Sequence, residues 1–138
     1  VIPALLRKAH EAKESGAGDL VVWGSGTPLR EFLHVDDCAD ALVHLLKTYS
    51  NESHVNVGCG SDLSIAELAR TICEVVCYRG HLRFDTTKPD GTPRKLMDTT
   101  RLAALGWQPR ISLREGLAAT YQEFLEEMRA GALRRVAV

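Results

Sequence analysis

The stretch Val22-Trp-Gly-Ser-Gly-Thr-Pro-Leu-Arg-Glu-Phe-Leu-His-Val-Asp-Asp37 decides how the rest of the chain is read. Leu20 to Trp23 is a short apolar run, and Gly24-Ser25-Gly26-Thr27-Pro28 closes it, which predicts a strand entering a turn. Arg30 to Val35 alternates as a second short strand would. Asp36 and Asp37 then stand where a helix needs a cap, ahead of an apolar face formed by Cys38, Ala41, Leu42, Leu45 and Leu46. Strand, turn, strand and helix follow within one short segment. That is α/β patterning.

Outward from this stretch the alternation continues. Upstream, Ile2, Leu5, Leu6 and Ala9 recur at helical spacing, so a helix is predicted from Ile2 to Ser15, ending at Gly16-Ala17-Gly18. No Ser, Thr, Asp or Asn precedes it, and a helix opening without its cap predicts further sequence upstream. Downstream, His54 to Gly58 and His81 to Asp85 read as strands, and Thr86 to Lys95 as a long polar loop punctuated by Pro89, Gly91 and Pro93. Ser64-Ile-Ala-Glu67 and Ser112-Leu-Arg-Glu115 are capping boxes, each opening a helix. The second of these helices turns Leu113, Leu117, Tyr121, Phe124, Leu125 and Met128 inward. A short helix is predicted over Thr100 to Leu105, and the tail from Gly131 is expected to fray. Residues 1–138 form one domain, with strands too few and too short for a complete doubly wound sheet.

Composition narrows the function classes. Seventeen Lys and Arg against eighteen Asp and Glu give a net charge of −1, so no global field draws the chain to nucleic acid or to an anionic membrane. No apolar run reaches the ~20 residues of a membrane helix, and no signal peptide is visible, which points to the cytoplasm. Cys38, Cys59, Cys73 and Cys77 match no zinc spacing, and no disulfide or metal site is expected. His34 and Asp36 make a His-x-Asp triplet, but a third ligand at a useful spacing is missing. The simpler reading has Asp36 capping the helix and His34 packing at a sheet edge.

The usual catalytic signatures are missing as well. Gly24-Ser25-Gly26 and Gly58-Cys59-Gly60 each lack the third glycine of a dinucleotide fingerprint, since Leu29 and Leu63 occupy those positions. Both read as turn glycines. No Tyr-x-x-x-Lys pair, Gly-x-Ser-x-Gly elbow or Walker loop occurs. Two basic clusters remain: Lys8 with Arg30, and Lys88-Pro-Asp-Gly-Thr-Pro-Arg-Lys95. Cations beside an aromatic ring and a lone acid suit a nucleoside diphosphate, because guanidinium and ammonium groups offset the phosphates and an aromatic face holds the nucleoside. A solvated polar loop beside a core Trp accounts for the same residues.

Val1 to Lys8, Val22 to Asp37, Lys88 to Lys95 and Asp98-Thr-Thr-Arg-Leu-Ala-Ala-Leu-Gly-Trp107, taken in order, resemble the GDP-L-fucose synthase family of extended short-chain dehydrogenases/reductases. The resemblance runs from Val1 to about Met128. Arg30 to Asp37 and Leu105-Gly-Trp107 are shared widely among nucleotide-sugar epimerases and reductases; Trp23 to Pro28 and Lys88 to Lys95 are more specific. The resemblance implies a small α/β C-terminal substrate-binding domain, with the NADP(H)-binding Rossmann half absent. It implies that Lys8, Trp23, Arg30, Asp90 and Lys95 line a GDP-sugar site, Arg30 and Lys95 facing the diphosphate and Trp23 and Asp90 placing the nucleotide. Lys8 stands where many relatives carry Arg.

The family converts GDP-4-keto-6-deoxy-D-mannose to GDP-L-fucose by 3,5-epimerisation and NADPH-dependent 4-reduction, using a Cys/His pair and a Ser-Tyr-Lys set. The resemblance places the catalytic His just before Val1 and the other groups further upstream, so no catalytic residue is expected in this chain and the full enzyme is expected to be a homodimer. Another nucleotide-sugar epimerase or dehydratase, and a non-catalytic nucleotide-sugar-binding module, are the alternative readings. If the first helix and the Val22 strand normally pack against a missing half, they should expose apolar surface here.

Overall fold

The computed structural model describes Val1 to Gly131, and the expected fraying of the tail concerns residues that, beyond Gly131, lie outside the described part. The elements are α1 (Ile2–Ser15), β1 (Asp19–Trp23), β2 (Leu29–Arg30), α2 (Val35–Thr48), β3 (Leu63–Ser64), α3 (Ile65–Val76), β4 (His81–Asp85), β5 (Arg94–Lys95), α4 (Thr100–Ala104) and α5 (Leu113–Arg129). β1 and β4 form a parallel pair with Asp19 opposite His81 and Trp23 opposite Asp85. A second, minimal sheet has the order β3-β2-β5, antiparallel on one side of β2 and parallel on the other. The mixed α/β architecture read from the sequence is the one observed.

α3 is the centre of the molecule. It packs against both α1 and α5, and Leu68, Ala69 and Ile72 are fully buried in the cluster that also takes Leu5, Leu6, Leu20, Val22, Leu117 and Tyr121. Both capping boxes form: Ser64 Oγ accepts the Glu67 N–H at 3.1 Å, and Ser112 Oγ accepts the Glu115 N–H at 3.3 Å, while each glutamate reaches back to its serine. α1 has no side-chain cap at its N-terminus. It ends at Gly16, whose φ of 66° is the left-handed conformation in which glycine carries no Cβ penalty. A smaller cluster of Ala41, Leu102 and Trp107 holds α2 to α4, with Val55 and Val57 against it.

Several sequence expectations are corrected. The strand expected over Arg30 to Val35 stops at Arg30, because Glu31 turns its carboxylate to the N–H groups of Gly60 (2.6 Å) and Met97 (3.0 Å). His54 to Gly58 is not a strand. No neighbouring strand pairs with it; Arg101 donates to the His54 carbonyl and Asn56 to that of Asp98 instead. The Thr86 to Lys95 loop ends in a two-residue strand, β5. His34, not Asp36, caps α2: its Nδ1 accepts the Asp36 N–H at 3.3 Å. Asp37 is buried and accepts the N–H groups of Arg110 and Ile111. Met128 is exposed rather than inward.

The expected exposure is met only in part: Leu6 at 2% and Val22 at 3% are covered, while Trp23 at the end of β1 is 61% exposed. The open apolar face belongs to α2, where Leu42 is 53% and Leu46 85% exposed although both were read as inward. Its apolar stripe is wider than the small cluster beneath it can cover.

Ser64→Ala and Ser112→Ala should each cost about 1 kcal/mol in urea unfolding, the usual loss for a removed cap. Glu67 and Glu115 are held below the ordinary glutamate range, chiefly by their serine hydroxyls and then by the serine N–H groups. A lowered folded-state pKa adds stability that is complete above the unfolded value and is lost as pH falls through the folded one. The cost of Ser112→Ala should therefore shrink in acid, which urea titrations across that range would measure.

Candidate functional site

A groove of about 360 Å³ opens between α1, the turn after β1 and the loop after β4. Leu5, Val22, Pro28 and Ile65 give it an apolar floor, and Lys8, Trp23, Arg30 and Asp90 stand around it. Its volume falls in the range of small-ligand sites. Four of the five residues expected at a substrate site thus line one cavity, although 65 residues separate the Ser25 turn from Asp90.

Trp23 is the last residue of β1 and, unlike a core Trp, is 61% exposed. Alternation along the strand explains this, since Leu20 and Val22 point into the core and Trp23 must point away. Lys8, one helix face across, places its Nζ 5.2 Å from the indole centroid. Lys88 places its own at 5.4 Å. Cations at such distances are attracted by the ring's quadrupole.

Asp90 fixes the turn that carries the Trp. Its Oδ1 accepts the Ser25 N–H at 2.9 Å and its Oδ2 the Ser25 hydroxyl at 2.6 Å. These bonds, the hydroxyl first, hold the Asp90 carboxyl below the usual aspartate range. With Ser25 donating to Asp90, the 2.7 Å contact between Ser25 Oγ and Thr27 Oγ1 has Thr27 as donor. The turn also explains its glycines. Gly24 and Gly26 have φ of 85° and 77°, and a Cβ would strike the Asp90 carboxylate at the first and the Phe84 ring at the second.

Arg30 lies half-buried in β2, with Nη1 donating to the Leu29 carbonyl at 2.6 Å. Its Nη2 passes beneath the loop, so that a Cβ on Gly91 would come within 3.1 Å of it. Lys95 is the one expected site residue that does not line the groove. It is exposed on β5, directly opposite Arg30 in the parallel pairing. Partners in that register direct their side chains to the same face of the sheet. Arg94, on the other face, is engaged with Asp62 at 2.6 Å.

The sequence reading placed Lys88 in a basic cluster without assigning it to the site, and gave Ser25 no role. Their signals were the Lys-Pro-Asp run and the Ser between two turn glycines. A larger cleft of about 600 Å³ lies beside α1 and α5. There His10 and Tyr121 satisfy each other at 3.0 Å, and no exposed aromatic face flanked by cations is present. Among the described residues no group of three His, Cys, Asp or Glu side chains is placed to hold a metal ion, and no helix is long and apolar enough to cross a membrane.

Comparison with known proteins agrees with the motif reading. A model of the NAD dependent epimerase/dehydratase family matches residues 1–58. The chain is 60% identical over 128 residues to a putative GDP-L-fucose synthase 2 of Arabidopsis thaliana, covering 93% of this chain and 39% of that protein. It is 58% identical over 135 residues to GDP-L-fucose synthase of Escherichia coli strain K12, covering 91% of this chain and 42% of that one. The crystal structure of a GDP-L-fucose synthetase from Naegleria fowleri bound to NADP superposes with a TM-score of 0.88 at 31% identity, over 96% of this chain and 42% of that chain. The chain therefore spans about two fifths of the length of these relatives, and its resemblance to the GDP-L-fucose synthases is borne out over nearly all of its own.

Asp90→Ala should release the Ser25 turn. Amide exchange at Ser25 should be faster in the variant than in the parent chain at one pH, while that of Ile72 stays unchanged. The parent should lose the same protection, taken relative to the intrinsic exchange rate at each pH, because the lowered Asp90 pKa makes its contribution vanish as pH falls through the folded value.

Proposed function

We propose that this chain, similar to GDP-L-fucose synthases over 93% of its length, forms the GDP-sugar-binding part of such an enzyme. Its substrate and product would be GDP-4-keto-6-deoxy-D-mannose and GDP-L-fucose. The observation that carries the reading is the groove itself: an exposed indole, the Lys8 ammonium and a half-buried guanidinium line one cavity whose acid is occupied by a serine.

The roles follow from chemistry. A diphosphate is best met by Arg30, whose fork offers paired donors and uses only part of them on Leu29. Lys8 adds charge from α1, and Lys95 adds it from the strand beside Arg30. Trp23 supplies a flat face for the nucleoside. Asp90 has lone pairs beyond the two that Ser25 uses, enough to accept N–H groups of a base. Holding the nucleotide in this way orients the attached sugar for chemistry performed by other groups.

Neither the Gly24-Ser25-Gly26 turn nor the Gly58-Cys59-Gly60 turn offers the pyrophosphate cradle of NADP(H). A dinucleotide pyrophosphate needs a glycine turn that runs directly into a helix N-terminus. Here Gly26 leads to β2, and Gly60 to β3 and a helix already capped by Ser64. In this reading the cofactor, the catalytic groups and the dimer contacts belong to parts of the whole enzyme beyond these residues. The chain contributes substrate contacts.

Calorimetric titration with GDP, and with UDP as control, tests the proposal. GDP should bind and UDP should bind more weakly. Equal affinity would favour a different nucleotide-sugar enzyme, and failure of both would sink a preformed site. Arg30→Ala should weaken GDP binding by roughly tenfold to a hundredfold, as expected for a lost charge-assisted hydrogen bond; unchanged affinity would remove Arg30 from the site.

A further inference from the structure

We propose that Glu31 is a positioning residue that acts on the groove through Arg30, a role that rests on the nucleotide-sugar reading above. Arg30 lines the groove, and Glu31, the next residue, does not. Its carboxylate turns instead to the two segments that flank β2. Oε1 accepts the Gly60 N–H at 2.6 Å, ahead of β3, and Oε2 accepts the Met97 N–H at 3.0 Å, just past β5. One side chain thus ties both neighbours of the strand that carries Arg30.

The tie matters because the sheet beside it is so small. β2 is two residues long, with Arg30 opposite Leu63 on one side and Lys95 on the other. A ladder of that length exchanges too few backbone bonds to hold its register alone. Room for the carboxylate is kept by Gly58, which is buried and on which a Cβ would strike Glu31 Oε1. Asp62, just ahead of β3, also reaches Arg94 of β5 at 2.6 Å, so the outer strands stay joined without Glu31. What Glu31 adds is the placement of Arg30 between them.

A guanidinium serves a diphosphate only when its fork meets the oxygens in the right geometry. Arg30 spends Nη1 on the Leu29 carbonyl, so the path of β2 aims the donors that remain. Slippage of β2 against its neighbours would misdirect them. Charge alone has the opposite sign. A carboxylate one residue from Arg30 opposes an incoming phosphate, and its removal would favour the anion. Weaker binding after that removal therefore reports position and not charge.

GDP is titrated calorimetrically into the parent chain, Glu31→Gln, Arg30→Ala and the double variant. The introduced amide has one acceptor oxygen, so it can satisfy only one of the two N–H groups and turns donors towards the other. Glu31→Gln should weaken GDP binding about fivefold in the parent, the worth of one hydrogen bond. In the Arg30→Ala background it should cost less than about twofold, because no guanidinium is left to aim. Gly58→Ala, whose Cβ displaces the carboxylate, should reproduce the loss with Glu31 intact, and it carries the test if Glu31→Gln alone unfolds. Amide exchange at the buried Ile72 reports whether each variant stays folded. Unchanged or tighter GDP binding by folded Glu31→Gln overturns the proposal, and so does an equal loss in both backgrounds. Loss of Ile72 protection in both Glu31→Gln and Gly58→Ala overturns it too, because Glu31 then holds the fold and not the site. A parent chain that binds no GDP overturns the nucleotide reading first and Glu31 with it, and the parent titration alone reveals that case.

Discussion

Backbone N–H groups in loops must find acceptors when the sheets are too small to supply them, and in this molecule carboxylates take that part. Three of the five strands are only two residues long, so hydrogen-bond ladders cannot hold the segments between the helices. Glu31 joins the segments of Gly60 and Met97, Asp37 gathers Arg110 and Ile111, and Asp90 ties the loop after β4 to the turn after β1. Asp40 does the same for a side chain, accepting the Trp107 indole N–H at 2.8 Å. Each acid replaces a strand pairing that the chain lacks.

One of these ties shapes the groove. The Asp90 bonds hold the middle of the loop after β4 to the Trp23 turn, between ends fixed by the Gly24 N–H on Asp85 and the Leu29 N–H on Pro93. The glycines at 24 and 26 are its steric counterpart, since positive φ and close approach by Asp90 and Phe84 leave no room for a side chain. The site is therefore built on loops but anchored to rigid elements: Trp23 to the end of β1, Lys8 to α1, Arg30 to β2. Such anchoring holds the cations near one another before any ligand arrives, which lowers the ordering cost of binding.

The core distributes differently from the site. α3 buries its apolar stripe on two sides, against α1 and α5, and so stabilises the elements that carry Lys8 and Trp23. α2 has only the small Ala41, Leu102 and Trp107 cluster beneath it and leaves Leu42, Val43 and Leu46 open. Positioning of the groove owes little to that open face. It depends on the larger core.

Where a feature depends on residues a few positions apart, the sequence by itself determined it. Both capping boxes, the extent of α1, the β4 strand and the turn role of Gly24 and Gly26 are local matters of periodicity and hydrogen-bond geometry, and they stand as read. The family resemblance was legible too, in runs such as Trp23 to Pro28 and Lys88 to Lys95. Tertiary structure decided what depends on distant partners. Arg30 to Val35 alternates like a strand, yet Glu31 leaves the ladder for Gly60 and Met97. His54 to Gly58 has strand composition and no strand to pair with. Asp36 has the residue type of a cap, but the His34 imidazole reaches its N–H first. Asp90 was expected as a nucleotide contact, and the structure shows it as the clasp of the turn. Local spacing cannot reveal such things, because a carboxylate's partner is fixed by the three-dimensional path of the chain, not by its neighbours in sequence.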